Sequence, residues 1–165
     1  MNVREIASEF SIVIFSQDAD LGSRIKFSLM NRKYDTYFFS DLDEGLERIK
    51  LTPPHIFIVD NSGLVSSLSE VFQKVLSASS EIRILVLADK DILADLLQYQ
   101  EYNLSQCFDR LAISTPDQVL LSADLICEGL YRLYQNEQVF NAYQGATEEN
   151  KKLKSSEIRP VAPYV

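Results

Sequence analysis

The residue types that most often carry chemistry are few in this chain and form no known catalytic pattern. The single histidine, His55, precedes an apolar run and is expected to be a partly exposed residue at the entry to a strand. One histidine cannot supply a histidine-based metal site, and no convincing Ser-His-Asp arrangement accompanies it. Cys107 and Cys127 form no metal or redox motif, so we expect two buried thiols.

Phosphate-binding loops are also missing from the sequence. The five glycines form neither a GxGxxG nor a GxxxxGK loop, which excludes the usual cradles for dinucleotides and nucleoside triphosphates. The turn after the first apolar run, Ser16-Gln17-Asp18-Ala19-Asp20, is acidic and would repel the phosphate of a flavin. The sequence therefore predicts a protein that is not an enzyme and holds neither a metal nor a cofactor.

Composition narrows the class of protein further. The 165 residues are 46% hydrophobic and 24% charged, as in a soluble globular domain, and the net charge of −8 disfavours a nucleic-acid surface. No apolar run approaches the roughly 20 residues that a membrane helix needs. The segment Met1–Phe10 carries two acids and no apolar core, so it does not resemble a secretory signal. These features predict a cytoplasmic protein with neither nucleic-acid nor membrane partners.

Short apolar runs alternate along the chain with segments of helical spacing. The runs are apolar throughout, which is typical of parallel strands covered on both faces. Five such strand-then-helix units predict an α/β fold with a doubly wound five-stranded parallel sheet of flavodoxin-like type. The predicted strands are Phe10–Phe15, Tyr34–Phe39, His55–Val59, Ile82–Leu87 and Ser105–Asp109.

Four predicted helices follow the first four strands, and a fifth begins near Pro116. Their apolar positions recur every three or four residues, which is the period of a helix with one buried face. The positions are, in order of helix, Leu21, Ile25 and Leu29; Leu42, Leu46 and Ile49; Leu64, Leu68, Val71, Phe72, Val75 and Leu76; and Ile92, Leu93, Leu96 and Leu97.

The order and spacing of these elements resemble the response-regulator receiver domains, over roughly Phe10 to Leu133. The run Pro54–Asp60 resembles the third strand of that family, which ends in the phosphoacceptor aspartate, so the resemblance places Asp60 at that position. It also implies the strand order 2-1-3-4-5. Function in the family, as in other open parallel sheets, lies at the carboxyl ends of the strands.

Most of the other diagnostic positions of the family hold different residue types here. The acidic pair at the end of the first strand falls on Ser16 and Gln17, and the hydroxyl after the fourth strand falls on Ala88. The lysine after the fifth strand falls on Arg110, and the switch aromatic falls on Cys107. The resemblance therefore implies a degenerate member of the family, a pseudo-receiver.

The substitutions remove the charge that a magnesium ion would need. Ser16 and Gln17 are neutral, so Asp60 is the only carboxylate at a family position. Asp18 and Asp20 lie nearby and could rebuild part of the site, but the expected role of these acids is to cap the first helix. We expect Asp60 to form an ion pair with Arg110 that holds the loops.

The fifth helix is predicted to extend beyond the receiver-like domain. Val119, Ala123, Ile126, Leu130 and Leu133 form a stripe, and its first part should cover the sheet. The helix of the family normally ends near Leu133, yet an apolar pattern continues in Tyr134, Val139, Phe140 and Tyr143. Such residues need a place to be buried. We expect a projecting helix that pairs in a homodimer or with a partner domain, whereas the alternative is a helix folded back on its own domain.

Partner binding is expected on the face that the fourth helix, fifth strand and fifth helix form. Tyr99 and Tyr102, after the fourth helix, could add aromatic anchors to this face or simply cap the core. The predicted organisation is an N-terminal segment 1–9, a receiver-like domain 10–145 that includes the extended helix, and a polar tail or linker 146–165. The tail could lead to a C-terminal output domain that is missing here.

Three functions remain open, in order of preference. The first is a pseudo-receiver that works in signalling as a protein–protein interaction or dimerisation module and is not phosphorylated in the usual magnesium-dependent way. The second is a genuine phosphoacceptor receiver of a two-component system, which would use Asp60 and a rearranged magnesium site. The third is a small flavodoxin-like enzyme or ligand-binding protein.

Overall fold

A computed structural model describes residues 3–89, 102, 104–109 and 116–155, and the structural statements below refer to these residues. Side chains are described for 5–89, 102, 104–109, 116–138 and 142. The predicted fourth helix, Tyr99 and Arg110 lie outside the described residues. The chain divides into two compact units, Met1–Cys127 and Glu128–Val165, and the boundary falls within one long helix.

Five strands form one sheet, and every neighbouring pair is parallel. The strands are β1 (Ser11–Phe15), β2 (Asp35–Phe39), β3 (Ile56–Asp60), β4 (Arg83–Ala88) and β5 (Leu104–Asp109). Their spatial order is β2-β1-β3-β4-β5. The predicted fold class and strand order are confirmed, and each strand lies within one residue of its predicted bounds.

The apolar strands occupy the centre of the sheet. All five residues of β3 are buried, as are four of the five in β1 and five of the six in β4. The outer strand β5 has no buried residue, as its more polar sequence indicates. In register, Phe15 pairs with Val59, Asp60 with Leu87 and Ala88 with Asp109. The carboxyl ends of β1, β3, β4 and β5 therefore meet along one edge of the sheet.

The described helices are α1 (Val3–Ile6), α2 (Ala19–Asn31), α3 (Leu42–Leu51), α4 (Leu68–Ala78) and α5 (Asp117–Ser155). The first three predicted helices are thus α2, α3 and α4, and the predicted fifth helix is α5. One boundary was wrong: Leu64 lies in the loop before α4, because the Ser67 side chain caps that helix by accepting from the N–H of Glu70. Leu64 still packs against the core.

Each face of the sheet is buried. Alternate strand residues such as Val13, Phe57 and Val86 share a core with Ile49 of α3 and Phe72 of α4. The intervening strand residues point to the opposite face because side chains alternate along a strand. The buried residues on that face of the sheet and on α2 and α5 are Ile12, Ile14, Ile58, Leu85, Leu87, Leu21, Ile25, Leu29, Val119, Ala123 and Cys127.

The two ends of the chain differ from the predicted organisation in secondary structure. The segment 1–9 contains α1 and a 3₁₀ turn, Ala7–Glu9, and Ile6 and Ala7 are buried. At the other end α5 continues to Ser155, past the predicted boundary at residue 145. An extended C-terminal helix is confirmed, and part of the predicted tail is helical. None of the described helices is both long enough and apolar enough to cross a membrane.

Candidate functional site

Asp60, the last residue of β3, carries a fully buried carboxylate at the carboxyl edge of the sheet. Its Oδ2 accepts a hydrogen bond from the Ser16 hydroxyl at 2.7 Å, and its Oδ1 accepts from the backbone N–H of Ser62 at 3.0 Å. The pairing of Phe15 with Val59 brings Ser16 and Asp60, the next residue on each chain segment, to the same position at the edge. Both carboxylate oxygens therefore have donors.

Ser16 connects this carboxylate to the turn that starts α2. Its side chain is fully buried, and its Oγ accepts from the backbone N–H of Asp18 at 3.0 Å while it donates to Asp60. The backbone N–H of Ser16 also donates to the carbonyl oxygen of Phe39 at 3.2 Å, which links β1 to the end of β2. The Ser16 hydroxyl thus bonds both to the turn before α2 and to the buried Asp60 carboxylate.

Gln17 covers the loop that follows Asp60. Gly63 has a φ of 72°, which favours glycine. The end of the exposed Gln17 side chain lies next to Gly63 and is free to move, so the backbone conformation is what requires glycine at this position.

Asp18 and Asp20, the two acids that follow Ser16, interact with residues of helix α2. The Asp18 Oδ1 accepts from the backbone N–H of Leu21 at 3.1 Å, which confirms that Asp18 caps this helix. Asp20 lies in the first turn, and its largely exposed carboxylate pairs with Arg24 one turn later at 3.3 Å. Asp18 and Asp20 therefore have local structural roles, and such exposed ion pairs contribute little to stability.

The remaining predicted positions lie on β4 and β5. Ala88 ends β4, is buried and has no hydroxyl to offer, and its partner in register is Asp109. Cys107 of β5 is half-buried against the core, and desolvation raises the pKa of its thiol. Ser16, Gln17, Asp60 and Ala88 thus meet at one edge. Arg110 lies outside the described residues, so its ion pair with Asp60 stays a prediction.

Comparison with known proteins supports the fold. No protein-family model and no curated protein matches the sequence. Among solved structures, a receiver domain from Clostridium thermocellum superimposes with a TM-score of 0.65 at 13% identity, covering 75% of this chain and 98% of that one. The chemotaxis response regulator CheY4 of Vibrio cholerae gives a TM-score of 0.62 at 13% identity, covering 71% and 98%. This is the receiver-domain fold.

A solved structure that is named as an adenylate cyclase, not as a receiver domain, is also similar to this chain. An adenylate cyclase from Rhodopirellula baltica superimposes with a TM-score of 0.64 at 18% identity, covering 78% of this chain and 93% of that one. At such identities the likeness concerns the fold alone. What the receiver-fold domain of this chain does must therefore be argued from its own residues.

The side chains at the edge do not fit the magnesium ion that the receiver-domain fold implies. Such an ion prefers several oxygen ligands, with carboxylates supplying charge. Here both Asp60 oxygens already accept hydrogen bonds, and the neighbouring side chains of Ser16 and Gln17 are neutral. Within the described part of the chain, no three His, Cys, Asp or Glu residues are grouped so that they could hold a metal ion.

Two residues of this site, Ser62 and Gly63, are not predicted by the sequence, and the sequence leaves the role of Tyr102 open. The donor Ser62 and the constrained Gly63 belong to the turn Asn61-Ser62-Gly63, and a Ser-Gly pair is a recognisable turn signal. Tyr102 caps the core: its ring lies 5.1 Å from that of Phe72, and its hydroxyl is 3.3 Å from the Ser69 Oγ. It packs on α4 and is not an exposed anchor.

Proposed function

We propose that this chain is a receiver-fold signalling domain that works as a protein–protein interaction module and is not phosphorylated in the usual magnesium-dependent way. The observation that supports this proposal is the 2.7 Å hydrogen bond from Ser16 to Asp60. A neutral hydroxyl donor stands beside the buried carboxylate, at the position where the family resemblance expects an acid. On this proposal the domain is not an enzyme, needs no cofactor and acts in the cytoplasm.

The physical argument concerns charge. When a phosphoryl group is transferred to a carboxylate, several negatively charged oxygens come close together, and a divalent cation normally neutralises their charge. Ser16 and Gln17 bring no negative charge with which to hold such a cation, and Ala88 brings no hydroxyl for a phosphoryl oxygen. A donor molecule would also have to reach a carboxylate that is fully buried and bonded to Ser16 and Ser62.

The second unit supplies a surface for a partner. Within Glu128–Val165 the described residues form a helix, and Leu133 and Tyr134 are exposed on it. Its described ion pair, Glu128 with Arg132 at 3.2 Å, is local to one turn. Long helices gain most of their stability by packing an apolar face. We therefore infer that this helix binds a partner, either a second copy or another protein domain.

A magnesium titration followed by amide-resolved NMR tests the proposal. We expect no saturable shifts at Asp60 and Ala88 through millimolar Mg²⁺, and none when beryllofluoride is then added. The matched control is the double variant Ser16→Asp/Gln17→Asp, which restores two acids at the strand end and should show saturable shifts. Saturable shifts in the unmodified protein that spread to α5 would contradict the proposal.

The genuine phosphoacceptor is the second candidate, and one observation favours it. Asp60 ends the third strand of a receiver-domain fold, which is where the family resemblance places the phosphorylated aspartate. Asp18 would have to give up its bond to the Leu21 N–H to act as a metal ligand. In that case the titration would perturb Leu21 together with Asp60, a signature that distinguishes a rebuilt metal site from weak surface binding.

A flavodoxin-like ligand-binding protein would need an apolar pocket at the strand ends. A cavity of about 430 Å³ does lie there, next to Phe15, Gln17 and Leu64. Asp41 and Asp43 also line it, so it presents two acids toward any ligand. An acidic cavity suits neither an apolar molecule nor a phosphate, which makes this the weakest of the three candidates.

A further inference from the structure

A groove runs between α2 and the beginning of α5, both in the first unit. Two cavities of about 610 and 550 Å³ adjoin there, because Ser28 and Asn31 line both of them. Leu120 borders the first cavity, and Phe27 and Pro116 border the second. The groove therefore has a partly apolar lining along more than one turn of α2, which is the form that an amphipathic helix recognises.

Large apolar side chains are exposed on both helices that form the groove. On α2, Phe27 is 69% exposed and Met30 is 51% exposed. On α5, Leu121 is 60% exposed and Leu125 is 55% exposed. Each pair is spaced by three or four residues, so each forms a short stripe on its helix. Apolar stripes on two adjacent helices are typical of a surface that is covered in the functional state.

The α2 side of the groove is basic, although the chain as a whole carries a net charge of −8. Residues 24–33 contain Arg24, Lys26, Arg32 and Lys33 and no acid. Arg24 and Arg32 pair with Asp20 and Asp124 within the fold, at 3.3 and 3.4 Å. Lys33 lines the first cavity and adds a further positive charge, whereas Asp117 lines the second cavity from α5. An acidic segment would therefore complement the α2 side of the groove.

The chain itself contains a segment of that kind. Residues 128–150 lie within α5 and hold four acids, Glu128, Glu137, Glu148 and Glu149, against one cation, Arg132. The same segment carries the exposed Leu133 and Tyr134, and its sequence continues with apolar residues at 139, 140 and 143. The segment is thus helical and acidic, and it carries exposed apolar side chains that could enter the groove.

We propose that the α5 segment 128–150 of one copy binds in the α2–α5 groove of a second copy, and that the exchange is reciprocal. This inference deepens the proposed function, because it names the partner of the interaction module as a second copy and α2 as its contact surface. A reciprocal contact of this type is two-fold symmetric and closes on itself, which yields a dimer and not a filament. The face around β5 is then not needed for dimerisation.

The decisive test uses two variants with complementary defects. Phe27→Asp places a charge in the groove, and Phe140→Asp places one on the binding segment. Light scattering should show that each variant alone is monomeric at concentrations where the unmodified chain is a dimer, with dimerisation weakened at least about tenfold. An equimolar mixture should form dimers again, because one variant contributes an intact segment and the other an intact groove.

The controls separate this arrangement from its rivals. Leu51→Asp makes the same change at an exposed leucine on α3 and should leave the dimer intact. Ser28→Asp repeats the groove defect at a residue that lines both cavities, in case Phe27→Asp fails to fold, which circular dichroism would reveal. A dimer that survives both groove variants but not Phe140→Asp would overturn the proposal in favour of a helix-to-helix pair.

Two further outcomes would also overturn the inference. A monomeric unmodified chain at all concentrations would favour the helix folded back on its own domain or a different partner. A mixture of the two variants that stays monomeric would exclude reciprocal exchange. The magnesium titration is independent of these results, since a metal-responsive Asp60 would overturn the proposed function without changing the measured mass.

Discussion

At each edge of the sheet, a serine in or next to β1 forms a hydrogen bond with a residue in or next to β3. The two hydrogen bonds use different chemical groups. In each, a serine next to or in β1 meets a residue 44 positions later, Ser11 with His55 and Ser16 with Asp60. At the amino edge the backbone N–H of Ser11 donates to the His55 Nδ1 at 3.1 Å. At the carboxyl edge a side-chain hydroxyl donates to a carboxylate at 2.7 Å.

The two contacts differ in whether backbone hydrogen bonds join the same two residues. His55 is half-buried, and its own backbone is bonded on both sides: its N–H donates to the Ser11 carbonyl and its carbonyl accepts from Arg83. Asp60 is fully buried, and its Oδ2 accepts from the Ser16 hydroxyl. The contact between Ser11 and His55 therefore includes backbone bonds, whereas the contact between Ser16 and Asp60 joins two side chains. A buried acid persists only where hydrogen-bond donors satisfy it.

The largest effect is expected for Ser16→Ala. This variant leaves the buried Asp60 Oδ2 without the hydroxyl and removes the acceptor for the Asp18 N–H. Loss of the hydrogen bonds that a buried hydroxyl makes to buried polar groups costs about 1–3 kcal/mol, so the free energy of unfolding in urea should fall by that amount. The matched variant Ser11→Ala keeps the backbone donor to His55 and should change it by less than about 0.5 kcal/mol. Equal losses for both variants would remove the distinction between the two edges.

Sequence alone predicted the sheet, because its strands are apolar runs of the right length and the family resemblance fixed their order. It also predicted which residues share the carboxyl edge, since parallel strands end there together. It did not predict the hydrogen bond between Ser16 and Asp60, because a serine at a strand end carries no signal of its partner 44 residues away. Nor did it find the α2–α5 groove, since the pattern marked Leu21, Ile25 and Leu29 as the buried face but said nothing of the exposed Phe27.

A smaller effect is expected at the amino edge, and it depends on pH. Burial lowers the pKa of His55 below its ordinary value of 6.5. The unfolded chain therefore binds a proton more readily than the folded one in the range between the folded pKa and 6.5. The stabilisation is complete above pH 6.5 and is lost as the pH falls below it. Because this is the only histidine of the chain, urea unfolding at pH 7.5 and pH 5.5 should isolate its contribution.

The control for the pH experiment is His55→Asn, which keeps a polar group near the Nδ1 position and cannot titrate in this range. The difference in unfolding free energy between the unmodified chain and this variant should shrink as the pH is lowered from 7.5 to 5.5. Ser16→Ala should show no such convergence with the unmodified chain, because it leaves His55 in place. A pH-independent difference for His55→Asn would mean that the ring contributes by packing alone, for example through its edge-on contact with Phe10 at 4.9 Å between ring centroids.

The smallest effect is expected for Asp60→Asn. An asparagine keeps an oxygen for the Ser62 N–H, and its amide can donate to the Ser16 Oγ, so the bond between the two residues survives with its direction reversed. The unfolding free energy should therefore change by less than about 1 kcal/mol. The mass in solution should not change either, since neither the groove nor the segment 128–150 includes this edge.

The matched variant Asp60→Ala removes both acceptors and should cost more than Asp60→Asn, because the Ser62 N–H and the Ser16 hydroxyl then face an apolar site. If the two variants are equally mild, the Asp60 side chain is dispensable for folding. If Asp60→Asn abolishes partner binding and leaves the unfolding free energy unchanged, the partner recognises the negative charge of Asp60. The domain would then signal through Asp60, and the account of a silent interaction module would fail at the residue on which it rests.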